Sequence, residues 1–327
     1  MYVEQLDWLA KNPRYTQRFA VHVGKRCHDM PNKAVSELEH LHDSTVKELD
    51  KLYMQQQVAR VGRPAPRVIG IDEISIRKGH NYRVVVSDLE RRRPLWVGGE
   101  GRKEVDLAQF FTALGVAKTR RIELAVMDMW KPFRNSLIRN APQARIVFDK
   151  FHIMRHLADA LDEVRRSEYR RLKGKDRAYI KGQRYTLLSN RENLSLKGRE
   201  ALQKLLAANK RLNTAYLLKE SFGQLWDYRT QRGAAAFFER WKDSLKRQRL
   251  EPYRSRFAKL VEKHWDGIAS YCHPENKVSL GLVEGLNNKI RVLQRRVYGY
   301  RDEEYLKLKI IAAFLPALPK KTLNDPH

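Results

Sequence analysis

Arg67-Val68-Ile69-Gly70-Ile71-Asp72 is a short, continuous apolar run that closes on a carboxylate. Apolar side chains on both faces of so short a run mark a strand buried within a sheet, and the pattern predicts a strand ending at Asp72. Outward from it, residues 82–88 (Tyr-Arg-Val-Val-Val-Ser-Asp) read as a second strand and residues 94–98 as a third, with turns at 78–81 and 89–93. Val105, Ala108, Phe111 and Leu114 recur at helical spacing. Residues 122–127 form a fourth apolar run ending at Asp128, residues 133–140 a helix, and residues 145–148 a fifth run ending at Asp149, before Phe151, His152 and Ile153.

Three strands in a meander, then helix, strand, helix, strand, is the order of the ribonuclease H-like fold, an α/β class with a mixed five-stranded sheet. In that fold the first and fourth strands lie side by side at the centre, which predicts that Asp72 and Asp128 converge. Two carboxylates at the ends of buried strands are costly unless compensated. A divalent metal is the natural compensation, and Mg²⁺ takes hard oxygen ligands from one or two carboxylates plus substrate phosphate.

On the N-terminal side, residues 61–66 form a Gly/Pro/Arg linker and a domain boundary. Ahead of it, residues 15–57 read as three helices: Phe19, Val23 and Cys27 repeat at spacings of four, Pro31-Asn32 breaks the chain, and His42-Asp43-Ser44 breaks it again. Asp43 or Ser44 is the expected N-cap of the third helix. A leading helix, then helix, short turn, helix is the layout of a DNA-binding helix-turn-helix, which a small helical bundle shares. Ser44, Thr45 and Lys47 would lie at the groove-facing start of the recognition helix.

On the C-terminal side, residues 154–271 are helical in pattern and strongly basic, with Arg165, Arg166, Arg170, Arg171, Lys173 and Lys175 crowded together. The aromatic residues there, among them Tyr185, Trp226, Phe237, Phe238, Trp241 and Trp265, are expected to be mostly core. The division is therefore 1–60 helix-turn-helix; 61–153 first part of the catalytic core; 154–276 a large all-α insertion; 277–315 the last part of the core; and 316–327 a tail.

The 327 residues carry a formal net charge of +27, spread along the whole chain, so a polyanion is the expected partner and nucleic acid the favoured one. No apolar run is long enough to span a bilayer, no secretory signal is visible, and no membrane partner is expected. The two cysteines, Cys27 and Cys272, lack zinc-site spacing and read as reduced thiols of a cytoplasmic protein.

One further segment, Leu282-Val283-Glu284-Gly285-Leu286-Asn287-Asn288-Lys289-Ile290, reads as a helix continuing toward Arg301. Leu282, Leu286, Ile290, Leu293 and Val297 form one stripe by spacing. Glu284, Asn288, Arg291 and Arg295 form a second, a carboxylate, an amide and two guanidiniums in line. A solvated basic face is the plain alternative.

Gly70-Ile71-Asp72-Glu73, Val126-Met127-Asp128-Met129, Phe148-Asp149-Lys150-Phe151-His152 and Val283-Glu284-Gly285-Leu286-Asn287-Asn288-Lys289, followed by Arg295-Arg296 and Tyr298-Gly299-Tyr300-Arg301, resemble the ISL3 family of bacterial insertion-sequence transposases. The resemblance implies that Asp72, Asp128 and Glu284 are the acidic DDE triad, catalytic and metal-binding, and that the helical block is the family's insertion domain. Two departures stand out. Family members usually begin with a cysteine-rich zinc-binding segment, whereas here Met1 precedes the helices directly, and Leu280 stands where a small polar residue is expected.

Phosphodiester cleavage needs an activated oxygen nucleophile and a stabilised leaving oxygen, which two Mg²⁺ (or Mn²⁺) ions about 4 Å apart provide in an in-line displacement. On this reading Asp72 bridges, Asp128 serves one ion and Glu284 the other. Lys289, Arg291, Arg295, Arg296 and Arg301 contact DNA, against a plain role in charge neutralisation. Asp149, His152 and Asn288 form an outer layer around the ligands, with helix capping the alternative for Asp149. The expected partner is double-stranded DNA, both element ends and target, bound by a homodimer assembled on DNA in the bacterial cytoplasm at the nucleoid. The competing functions are an inactive or domesticated DNA-binding regulator, a structure-specific nuclease of the same fold, and a basic RNA-binding protein.

Overall fold

The structure is a computed structural model, and it describes residues 14–318 apart from 78–80, 175–176, 178–179, 181, 190, 247, 249, 280 and 297–301. Leu280, Val297, Arg301 and the tail from residue 319 therefore lie outside the described residues, as does the side chain of Arg296. The chain divides into two compact units: residues 1–125, 131–144 and 282–327, and residues 126–130 and 145–281.

The first unit opens with α1 (Gln17–Asp29), α2 (Asn32–Glu39) and α3 (Asp43–Val61). Ala20, Val23, Cys27, Val35, Val46 and Leu49 form their shared core. Thr16 caps α1 by accepting from the Phe19 N–H. The N-cap of α3 is His42, one position before the expected Asp43: its Nδ1 accepts the N–H of Ser44, so imidazole does the work a carboxylate or hydroxyl usually does.

After the linker come β1 (Val68–Arg77), β2 (Asn81–Asp88) and β3 (Arg93–Gly98), the expected antiparallel meander. β1 is longer than its apolar run: Asp72 sits mid-strand, opposite Val85, and does not end it. The polar residues beyond it do not stop the strand because Ile74 still packs inward and the ladder to β2 continues through Ile74↔Arg83 and Ser75↔Tyr82. Next follow α4 (Glu104–Leu114), α5 (Val116–Thr119), β4 (Leu124–Met127), α6 (Lys131–Asn140) and β5 (Arg145–Phe148). The strand order is β3-β2-β1-β4-β5, so β1 and β4 are neighbours, as the ribonuclease H-like arrangement requires. Their beginnings are joined by the Glu123 N–H donating to the Arg67 carbonyl at 2.8 Å.

The second unit is helical apart from its strand residues: α7 (Lys150–Arg171), α8 (Arg184–Leu188), α9 (Leu196–Ala208), α10 (Lys210–Phe222), α11 (Gln231–Lys246), a π-helical stretch over Pro252–Ala258, α12 (Lys259–Lys263) and α13 (Trp265–Ser270). Phe222 packs edge-on against Trp226, Phe238, Trp241 and Phe257, and Phe238 stacks on Trp265. Of the aromatic residues read as core, Trp226, Phe237, Phe238 and Trp241 are buried and Trp265 is half-buried, whereas Tyr185 is 78% exposed.

The chain then returns to the first unit with α14 (Leu282–Arg296) and α15 (Glu303–Ala312). Ile74, Val85 and Val97 from the three meander strands pack with Ile290 of α14 and with Leu306 and Ile310 of α15. Because side chains alternate along a strand, Gly70, Asp72 and Ile74 share the sheet face that these two helices cover. Both cysteines are buried free thiols. Among the described residues no helix is long and apolar enough to cross a membrane.

Candidate active site

The first unit brings Asp72 to the helix that carries Glu284. The approach is close because Gly70 has no side chain: a Cβ there would lie 2.7 Å from Val283 Cγ2 and 2.8 Å from Leu89 Cδ2. Among the described side chains of α14, Val283, Leu286, Asn287 and Ile290 are buried: Leu286 and Ile290 are as the spacing argument has them, whereas Leu282 and Leu293 are only half-buried and Val283 and Asn287 turn inward. Asn287 Nδ2 donates to Asp72 Oδ2, while Asp72 Oδ1 accepts the N–H of Glu73 at 2.8 Å. Glu284 lies three positions before Asn287, one turn along the same side of the helix, and is half-buried. Glu73 points to the opposite face of the sheet, where it pairs with Arg102 at 2.7 Å.

Asn287 is the residue that sequence reasoning missed. Its neighbour Asn288, expected beside the acids, is exposed, and its Oδ1 accepts from Arg291 Nη1 at 3.0 Å. The signal was present in the sequence: Asn287 falls between Val283 and Ile290 at inward spacings of four and three, where an amide is tolerated only if it has a buried partner.

The second unit holds Asp128 and the Asp149–His152 pair. Asp128 is half-buried just past β4, and its Oδ1 accepts the N–H of Met129 at 2.6 Å. Asp149 is 4% exposed and caps α7 through the N–H of Phe151, with its other oxygen 3.2 Å from His152 Nδ1. Capping and histidine contact thus coexist in one carboxylate. Among the described residues no cluster of three or more His, Cys, Asp or Glu side chains stands ready to hold a metal ion.

The basic residues separate into engaged and available ones. Lys289 Nζ donates to the Ala313 carbonyl at 2.7 Å and lies over the Phe314 ring, and desolvation by its surroundings lowers its pKa. Arg291 and Arg295 are exposed. Lys47 pairs with Asp302 at 2.8 Å, as Lys51 does at 2.7 Å, whereas Ser44 is exposed at the start of α3 and Thr45 is half-buried. In the second unit Asp162 binds Arg165 and Arg166, and Glu168 binds Arg171 and Arg211, so part of the basic cluster of α7 is neutralised internally.

The donor set at Asp72 and Glu284 suits a hard divalent cation. Both groups are anionic oxygen donors, and the group that contacts Asp72 from α14 is a neutral amide rather than a competing cation.

Residues 69–310 match a family model described as Transposase, of the DDE type of ISL3 elements, and residues 4–53 match one described as the helix-turn-helix domain of transposase family ISL3. The chain is 34% identical over 316 residues to the transposase for insertion sequence element IS1001 of Bordetella parapertussis, an alignment covering 95% of this chain and 77% of that protein. It is 29% identical over 287 residues to the transposase for insertion sequence element IS1557 of Mycobacterium tuberculosis, covering 80% of this chain and 63% of that protein.

Proposed function

Because the chain belongs to the ISL3 family of transposases, enzymes that act on DNA, we propose that it binds the ends of an insertion sequence, cuts them and joins them to target DNA with Asp72, Asp128 and Glu284 as its catalytic acids. The observation that carries this reading is the packing of α14 on β1, which sets Glu284 one turn from the amide that holds Asp72. Asp72, Asp128 and Glu284 would hold the two Mg²⁺ or Mn²⁺ ions. Bound there, the ions supply the Lewis acidity that activates an oxygen nucleophile and stabilises the leaving oxygen.

The chain's own groups do the rest. α3 and the helices before it read the element's ends through Ser44 and Thr45 at the start of α3. Arg291 and Arg295 on the exposed side of α14 hold phosphates near the acids by charge-assisted hydrogen bonds. His152, held by Asp149, would belong to the outer layer around the ligands. Residues 1–60 thus recognise, residues 61–153 and 277–315 react, and residues 154–276 form the insertion. The protein works on DNA in the cytoplasm, at the nucleoid, as a dimer assembled across two ends.

The experiment uses precut end duplexes and a supercoiled target. Asp72→Asn, Asp128→Asn and Glu284→Gln should each bind ends as the wild type does in a gel-shift assay and lose strand transfer by at least about 10²-fold, the upper range for mutating even the outer partners of a metal ligand. Unchanged transfer in any of the three removes that residue from the site. Hydrolysis without joining in the wild type would identify a nuclease instead, and binding without either reaction a regulator.

A further inference from the structure

The sheet face under α14 holds a polar contact in apolar surroundings. Asn287 is 2% exposed and sits among Val283, Leu286 and Ile290, at 7%, 6% and 0%. An amide buried there costs free energy unless its hydrogen-bonding groups are used. Its Nδ2 reaches across 215 positions of sequence to Oδ2 of Asp72. The orientation of the amide follows from its partner, since a carboxylate oxygen accepts and only the NH₂ end can donate.

We propose that Asn287 is a positioning residue: its buried amide fixes the carboxylate of Asp72 and thereby sets the direction in which that carboxylate meets a divalent cation. The inference rests on the reading of Asp72 as a cation ligand. The Asp72 carboxylate is held at both oxygens, Oδ1 by the N–H of Glu73 on its own strand and Oδ2 by Asn287 on α14. A carboxylate offers about four lone-pair directions, so a hydrogen bond on each oxygen fixes the plane of the group.

The residue type matters as much as the contact. A lysine or arginine in place of Asn287 would neutralise Asp72 with a charge that an incoming cation must displace. An aspartate would repel it. A leucine would leave the carboxylate free to turn. A neutral donor holds the carboxylate without itself cancelling its charge. Arg102 does not interfere, since it is paired with Glu73 on the other face of the sheet. Asn287 and Glu284 also lie one turn apart on one helix, so the group that sets Asp72 is carried by the same rigid element as Glu284.

The test measures Mn²⁺ binding by electron paramagnetic resonance, with the full chain bound to a precut end duplex, which reads the site without relying on turnover. Asn287→Leu keeps the volume and removes the donor, and Asn287→Ala removes both. In each, the apparent Mn²⁺ dissociation constant should rise roughly 10- to 100-fold, while circular dichroism and melting in EDTA verify the fold. Unchanged Mn²⁺ affinity in folded Asn287→Leu overturns the proposal. Asp72→Asn separates the two levels of inference: if it loses Mn²⁺ while Asn287→Leu retains it, only the role of Asn287 falls, and if it binds Mn²⁺ as the wild type does, the reading of Asp72 falls too. Should neither Asn287 variant fold, a crystal of the wild-type complex soaked in Mn²⁺ decides. The amide nitrogen still on an Asp72 oxygen supports the proposal, and an amide turned away overturns it.

Discussion

Gly70 shows how a single absent side chain sets the site. With any larger residue, α14 would have to move away from β1, since Val283 and Leu89 already occupy the space of a Cβ. Gly70→Ala should therefore destabilise the protein by about 1–3 kcal/mol, the usual cost of overpacking, and reduce strand transfer beyond the loss of folded protein. Equal stability and activity, measured by denaturant melts and joining assays, would show that the helix adjusts freely. A second residue-scale expectation concerns pH. Two hydrogen bonds from Arg83, at 2.5 and 2.6 Å, hold the Glu303 carboxyl down at about 2, from an ordinary 4.5. A depressed carboxyl adds stability that is complete above the unfolded value and is lost as pH falls through the folded one. The melting temperature of the wild type should thus fall between pH 4.5 and about 2 more steeply than that of Glu303→Gln; parallel curves would remove this pair as a source of acid lability. Of the individual side chains, Asp72 and Asp128 stand out in the sequence because each follows an apolar run, and Glu284 because it heads a polar stripe on a helix. The burial of Asn287 was legible from its spacing, but its role was not, because that appears only once the carboxylate opposite it is known.

At the scale of elements, the pairing of α3 with α15 is the contact that the sequence did not reveal. Asp50 on α3 is 1% exposed; Lys309 Nζ of α15 lies 2.7 Å from its carboxylate, and the Tyr305 hydroxyl donates to it. That hydroxyl also accepts from Asn32 Nδ2 at 2.7 Å, and Lys309 Nζ donates to the Cys27 carbonyl at 2.8 Å. Burial and the nearby Asp50 carboxylate push the phenol well above its usual range, so it remains a donor. Tyr305→Phe should cost about 1.5–3 kcal/mol, the range for a hydrogen bond to a charged group. Asp50→Ala, which strands Lys309, should cost about 3–5 kcal/mol. Chemical denaturation measures both, and losses near zero would mean that water replaces the contact. The strands, α7 and α14 were legible from periodicity, which reports on one segment at a time. The extension of β1 past Asp72 was not, since its cause is the ladder to β2, and neither was the α3–α15 pairing, whose partners are about 250 positions apart.

For the whole molecule, charge decides how binding responds to salt. A chain with a formal charge of +27 should bind DNA with an affinity that falls steeply as salt rises, because each neutralised phosphate releases counterions. Not every cation contributes. Replacing Arg291 or Arg295 with alanine should lower the steepness of log K against log salt by about 0.9 each, the value for one phosphate contact. Lys289→Ala should leave the slope unchanged, since that ammonium is spent on the Ala313 carbonyl and the Phe314 ring. Fluorescence anisotropy across a salt series checks this, and equal slopes in all three variants would detach the exposed side of α14 from DNA.

Residues 282–327 complete the first unit and follow the rest of it in the chain by more than a hundred positions. On the ribosome, α1–α3 emerge with only their own six-residue core, while Asp50, Tyr53 and Met54 wait for Tyr305, Lys309 and Ala312. A polypeptide cut short before Leu282 therefore leaves those groups in water and rests on a core too small to be robust. Copies that stop before Leu282 would therefore compete poorly for DNA.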